Sequence, residues 1–347
     1  MKKVTMQQIA DQLGVSKFAV SQALSGKPGV SDETRNRIIQ AAAAQGYYSQ
    51  RHTRGKARPV SLQEMEKKPP ALKNTVIVLI PNVRYQLPES AFWGKIADGV
   101  IAGLADRGIG SMVVTEHNSD RFLHIINPAS VLGLVGIGLV ADQIVLEIRN
   151  AGIPFVLIDH EDSLILSDTI FMNNYDSVHR LTEYLIYLGH KSLKFVGNPG
   201  YSRSFFDRWL GFRTALEEMR LPVQEAGDRL LQIEDDREVE DILKSMYARK
   251  SMPTAFVCAN DATALHVLRT LAELGIRVPE DVSVTGFDNT EEAARLSPPL
   301  STVDVPKTGM GRRAVELLLR RIENPDKPFE KMLIHGEFIN RQSIAPV

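Results

Sequence analysis

The amino-acid sequence predicts an all-α head followed by an α/β body of two Rossmann-like lobes, and three observations carry that expectation. Residues 1–48 hold short helices around a tight glycine turn. Residues 49–74 lose all periodicity. From Thr75 onward, continuous apolar strands alternate with amphipathic helices. A chain of 347 residues is too long for one small domain and long enough for a large buried core. A hydrophobic fraction of 44% and a charged fraction of 24% are ordinary for globular chains, and no apolar run reaches the roughly 20 residues of a membrane span.

In the head, Thr5 is placed to cap a first helix, with Gln8 three residues on completing a capping box. Ile9, Ala10 and Leu13 form its apolar stripe, and Gly14 ends it because glycine accepts the left-handed conformation after a helix. Ser16 caps a second helix after only Gly14 and Val15, the spacing of a helix-turn-helix. Val20 and Leu24 face inward there, leaving Lys17, Phe18, Ser21 and Gln22 outward. A third helix is expected from Ser31 to about Ala44, packed through Ile38, Ile39 and Ala42. Residues 1–60 carry ten Lys or Arg against three acids, a net +7, so the remainder holds −8 of a chain whose total is −1. A basic head on an acidic body suits a polyanion-binding module joined to a part that need not touch the polyanion.

In the body, strands are expected at 75–81, 111–115, 133–138 and 154–159, with helices at 92–107 and 141–150. A second run places strands at 193–197, 230–233, 254–259 and 282–287, with helices at 205–219, 238–249 and 262–274. Continuous apolar strands separated by helices imply parallel sheets covered on both faces. Ligands of such sheets lie beyond the carboxyl ends of the strands, so Asp159, Gly197, Asn260 and Asp288 are expected at one cleft. Other chemistries find little support. The glycines of Gly133-Leu134-Val135-Gly136-Ile137-Gly138 fall inside an apolar strand, not between strand and helix, which opposes a phosphate loop. No serine sits in a nucleophile elbow with a histidine partner, the eight histidines show no metal-ligand spacing, and neither an enzyme nor a cofactor is expected. Cys258, the single cysteine, excludes an internal disulfide and is expected to be buried and inert. A capped helix within five residues of Met1 leaves no room for a signal peptide, so a cytoplasmic location is expected.

Val4-Thr5, Ile9-Ala10, Gly14-Val15-Ser16, Val20-Ser21 and Leu24-Ser25-Gly26-Lys27 are followed by Val30-Ser31 and Thr34-Arg35. In the body come Asn260-Asp261, the run from Gly275 to Val284, Gly286-Phe287-Asp288, Leu300-Ser301-Thr302-Val303, Gly311 and Arg341-Gln342-Ser343. In this order and spacing, over essentially the whole chain, these residues closely resemble the lactose-repressor/galactose-repressor family of bacterial transcription factors. The resemblance implies a head at 1–48, a linker at 49–74 and an effector-binding, dimerising body at 75–347. It divides that body into an N-lobe of about 75–174 and 305–330 and a C-lobe of about 175–304 and 331–347. The body is similar to periplasmic sugar-binding proteins, which implies effector contacts at Ser90, Phe92, Trp93, Asp159, Arg208, Asn260 and Asp288, with Lys307 near the cleft. Carboxylates and amides suit vicinal hydroxyls, and aromatic faces suit the C–H side of a pyranose. The plainer alternatives are caps and turns at Asp159, Asn260 and Asp288, core packing at Phe92 and Trp93, and an ion pair of Arg208 with Asp207 or Glu217.

The resemblance further implies that Lys17, Phe18 and Gln22 read bases in the major groove of an operator. Thr5, Ser16, Ser21, Ser25 and Thr34 would serve phosphates. Gln22 replaces an arginine usual in the family, and glutamine pairs with adenine where arginine pairs with guanine, so an altered half-site is expected. The linker departs from the family. Gly55 and Pro59 oppose a hinge helix, and Lys56 stands near the place of the usual wedge leucine. Arg51, Arg54, Lys56 and Arg58 then form either an extended minor-groove arm or a basic tether on phosphates. The expected whole is a homodimer on a palindromic double-stranded DNA operator, released by a sugar or related small molecule. Its rivals are a DNA binder activated by a purine corepressor or a partner protein, and a sugar-binding or enzymatic protein with a vestigial head.

Overall fold

The computed structural model describes residues 10, 11, 13–24, 34, 38, 74–82, 90–115, 126 and 128–347, without the side chains of 21–24, 129 and 236. The chain divides into two compact units, Met1–Pro69 and Pro70–Val347.

In the first unit, residues 10, 11 and 13 are helical and α1 spans Lys17–Leu24. Gly14 lies at φ +65, and the Val15 N–H donates to the Ala10 carbonyl at 3.0 Å, which closes the first helix in a Schellman turn. Ser16 Oγ accepts from the Ala19 N–H at 3.1 Å, the N-cap that the sequence predicts. Ala10, Val20 and Ile38 are fully buried.

The second unit begins with β1 (Thr75–Leu79), then α2 (Trp93–Ala105), β2 (Gly110–Val114), β3 (Val131–Ile137), α3 (Asp142–Asn150), β4 (Phe155–Ile158) and β5 (Asp168–Met172). It continues through α4 (Asn174–Tyr187), β6 (Leu193–Val196), α5 (Arg203–Glu218), α6 (Asp236–Ala248), β7 (Ala255–Cys258), α7 (Asp261–Glu273), β8 (Ser283–Thr285) and α8 (Glu291–Arg295). The last elements are β9 (Thr302–Val303), α9 (Lys307–Glu323), β10 (Lys331–Ile334) and β11 (Phe338–Ile339). One sheet has the order β10-β5-β4-β3-β1-β2, all parallel, and a second has the parallel order β6-β7-β8. Alternation along β1 sends Val76 and Val78 to one face and Ile77 and Leu79 to the other, where each pair joins a different buried cluster. Such two-sided burial is why these strands read as unbroken apolar runs.

Several elements differ from the sequence reading. Leu230–Ile233 does not form a strand; Arg229–Leu231 is a 3-10 turn, opened by Asp228 capping the Leu230 N–H at 3.0 Å. The Leu230 carbonyl still accepts from Gly197, so the segment flanks β6 without joining its ladder. The strand β5, the helices α4 and α9, and the short strands β9 to β11 were not foreseen. β10, expected with the C-lobe, pairs with β5 and therefore belongs to the first sheet; the chain returns to the second lobe only beyond it. There β11 pairs antiparallel with β9, and the Val284 N–H donates to the Ser343 carbonyl at 2.8 Å. Helices α2 and α9 approach at backbone distance: a Cβ on Gly311 would lie 2.2 Å from the Ile96 carbonyl oxygen. None of the described helices is long and apolar enough to cross a membrane.

Candidate functional site

The carboxyl ends of the strands from both lobes open on one cleft of about 600 Å³. Ser90, Phe92, Trp93 and Asp159 line it from the first lobe, and Arg208, Asn260 and Asp288 from the second. All seven residues singled out in the sequence thus share one cavity, whereas Gly197 is not among its lining residues. The plainer roles hold as well. Ser90 Oγ accepts from the N–H groups of Phe92 and Trp93 at 3.2 and 3.3 Å, and Asn260 caps α7 through the Thr263 N–H at 2.8 Å. Phe92 and Trp93 meet edge to face, 4.8 Å between centroids, and remain half-buried at the cleft wall.

Arg208 pairs with neither Asp207 nor Glu217 but lies in the floor. Its Nε donates to Asn174 Oδ1 at 2.8 Å, its Nη1 donates to the Ala259 carbonyl at 2.7 Å, and its guanidinium stacks 3.7 Å from the Phe287 ring centroid. Asn174 Nδ2 then donates to Ser204 Oγ at 3.0 Å, and Ser204 Oγ donates to Asp159 Oδ1. This relay fixes the guanidinium and ties a first-lobe aspartate to a second-lobe helix. Burial pushes the Arg208 pKa down, although the carboxylates of Asp288 and Asp159 oppose that shift. Burial likewise raises the pKa of Asp159, against the Ser204 hydrogen bond and the Arg208 charge.

Asp288 is held at about 7 by burial, which outweighs the cations Arg208 and Lys307. Its Oδ1 lies 3.8 Å from Arg208 Nη1, too long for a hydrogen bond, and has no hydrogen-bond partner within the protein. His160 Nε2 is also buried without a partner, and burial lowers that imidazole's pKa. Asp159 and Asp288 both have positive φ, +57 and +119; the first lies in the left-handed well that aspartate tolerates, and the second lies outside it and is strained. Lys307 is buried behind the cleft, its Nζ donating to the carbonyl of Asp288 and lying 5.7 Å from the Phe92 ring centroid.

His160, Glu161, Tyr201, Arg203, Ser204, Phe205 and Thr290 also line the cleft and were missed. The strand-end rule that found Asp159 extends one and two residues further to His160 and Glu161. Ser204 and Phe205 open α5 and had no comparable signal. Gly133 and Gly136 lie within β3, as expected, and Cys258 is buried in β7. One grouping escaped the histidine spacing: His179 lies 3.3 Å from Glu183 and 2.8 Å from Glu218, each carboxylate on a different ring nitrogen.

In the head, Lys17 is exposed and Phe18 is 72% exposed, so α1 presents a phenylalanine ring to solvent at its first turn. Ser16 spends its Oγ on the cap, and Thr34 is helical and half-buried. The side chains of Ser21 and Gln22, and Thr5, Ser25, Arg51, Arg54, Lys56 and Arg58 altogether, lie outside the described residues.

Residues 5–50 match the family model for bacterial regulatory proteins of the lacI family, and residues 182–344 match that for a periplasmic binding protein-like domain. The HTH-type transcriptional regulator MalR of Streptomyces coelicolor is 28% identical over 353 residues, covering 97% of this chain and 95% of its own. The HTH-type transcriptional repressor PurR of Photorhabdus laumondii is 27% identical over 358 residues, covering 98% and 97%. Among solved structures, the lac repressor dimer bound to operator and an anti-inducer superposes with a TM-score of 0.66 at 23% identity, covering 99% of this chain and 100% of that one. A helix-turn-helix head, a two-lobed body and relatives aligned along both place this chain in the lacI family of bacterial regulatory proteins.

Proposed function

We propose that this chain is a dimeric, cytoplasmic repressor whose hold on a palindromic operator is released when a carbohydrate fills the cleft. The carrying observation is the convergence of Asp159, Arg208, Asn260 and Asp288 from both lobes on a cavity also walled by Phe92 and Trp93. Asp288 Oδ1 and His160 Nε2, buried there without partners, each cost about 1–3 kcal/mol. Hydroxyls on one side of a ring and C–H groups on the other match a polar floor and aromatic walls. Closing the lobes on that ligand would bias the body toward the released form, and the Ser204–Asp159 hydrogen bond joins the two lobes at the site itself.

The exposed Lys17 and Phe18 at the first turn of α1 support base reading, and paired heads require a two-fold operator. A gel shift on the DNA upstream of the chain's own gene tests the reading, with sugars, sugar alcohols and purine bases added in turn. Release by a sugar is the expected result. Absence of any shift at low salt sinks DNA binding, and a shift strengthened by a purine base replaces the released repressor with a corepressed one.

A further inference from the structure

The cleft is larger and more graded than one sugar ring requires. A hexopyranose packed at protein-like density fills about 200 Å³, whereas the cleft offers about 600 Å³. A single ring would leave space for roughly a dozen waters at about 30 Å³ each. Chemical character also changes between floor and mouth. The floor holds the buried Arg208, Asp288 and Ser204, fixed donors and acceptors suited to reading a hydroxyl pattern. Leu139 and Tyr201 line the same cavity yet stay 37% and 40% exposed, which places them at its mouth.

Tyr201 packs on Phe205 with ring centroids 4.9 Å apart, so the second lobe offers an aromatic pair of its own, separate from Phe92 and Trp93 on the first. Aromatic faces accept the C–H side of a ring with little regard to its hydroxyls. A separate depression of about 550 Å³ borders the cleft at Ala91, Ala262 and Thr290. The cation at the mouth, Arg203, is already held by Glu161 at 2.6 Å and Asp207 at 2.8 Å, which leaves little charge for a phosphate.

We propose that the effector is a neutral glycan of at least two linked hexoses, one ring on the buried floor and the next against Tyr201 and Phe205. The proposal rests on the carbohydrate reading above and adds its length and charge. A free hexose satisfies the floor but leaves the second aromatic pair in water. A hexose phosphate would bring its charge against Glu161 and Asp207, the carboxylates that already flank Arg203.

Isothermal titration of the full chain tests this with glucose, galactose, mannose, their 6-phosphates, and α- and β-linked disaccharides of the same hexoses. At least one disaccharide is expected to bind about a hundredfold more tightly than its constituent hexoses, and Tyr201→Ala should narrow that ratio about tenfold. A free hexose or hexose phosphate that binds as tightly as every disaccharide overturns the two-ring occupant but leaves the carbohydrate reading standing. So does a Tyr201→Ala variant with an unchanged ratio. No binding by any sugar overturns both.

Discussion

Asp288 shows how one side chain can report on the whole cleft. Its carboxyl titrates at about 7 in the folded chain against 3.8 ordinarily, because burial outweighs the attraction of Arg208 and Lys307. Between those two values the folded chain holds a proton that the unfolded chain has released. The group's stabilising contribution is therefore full below about pH 4, falls as pH rises, and is gone above about 7. Asp288→Asn removes that slope: its unfolding free energy should depend less on pH between 4 and 7, and it should melt higher than the parent at pH 8, by thermal unfolding across a pH series. Effector affinity should move the other way. Hydroxyls donate more strongly to a carboxylate than to a carboxyl, so binding should tighten as pH rises through 7, and a flat titration series would remove Asp288 from the contact set. This residue was legible from its place at a strand end. Asn174 was not, because a helix-opening asparagine gains meaning only from its partners, Ser204 and Arg208.

Among the elements, β5, α9 and β10 are joined by one buried ion pair. Arg321 on α9 donates to Asp168 on β5 at 2.7 and 3.1 Å, and to the carbonyls of Pro325, Lys327 and Pro328 in the turn leading to β10. Asp168 also accepts from the Glu330 N–H at 2.8 Å. Both side chains are almost wholly buried, so removing one strands the other. Arg321→Ala should cost about 3–5 kcal/mol, while the double variant Asp168→Leu, Arg321→Met should recover much of the loss. Urea unfolding of parent, single and double variants measures both. Equal losses in the two variants would show that the arginine's bonds to the turn carbonyls, not the ion pair, hold this corner. These elements are also where the sequence was least readable. β5 opens Asp168-Thr169, and an aspartate whose burial is compensated by Arg321 153 residues ahead looks like a loop residue. The strand expected at 230–233 failed for a local reason: Asp228 captures the Leu230 N–H and starts a turn before a ladder can form. By contrast β1, β3 and β7 were plain, since burial on both faces leaves little but Val, Ile, Leu, Phe, Gly and Ala in the register.

For the body as a whole, the alternation of strands and helices predicted two sheets and their cleft, but not how the lobes are clasped. The clasp depends on charges far apart in sequence. Lys95 on α2 meets Glu291 on α8 at 2.9 Å, and Arg203 on α5 meets Glu161 beyond β4 at 2.6 Å. Each pair joins one lobe to the other, and Glu161 also takes Lys331 from β10 at 2.6 Å. All these groups remain partly or largely exposed, so each pair is worth about 0–1 kcal/mol and is screened by salt. That weakness suits a two-state body. Strong pairs would hold the lobes shut without ligand, whereas pairs worth under 1 kcal/mol each bias closure by at most about fivefold apiece and leave the decision to the occupant of the cleft. Lys95 lines neither the cleft nor the depression beside it, so its side of the pair can be tested apart from ligand contact. Lys95→Ala should weaken effector binding about two- to fivefold at low ionic strength, Glu291→Ala should do the same, and the double variant should match either single one. At 0.5 M salt all four proteins should bind alike. A loss that persists at high salt would mean that Lys95 acts through something other than this clasp, and additive losses would mean that the two residues do not act as a pair.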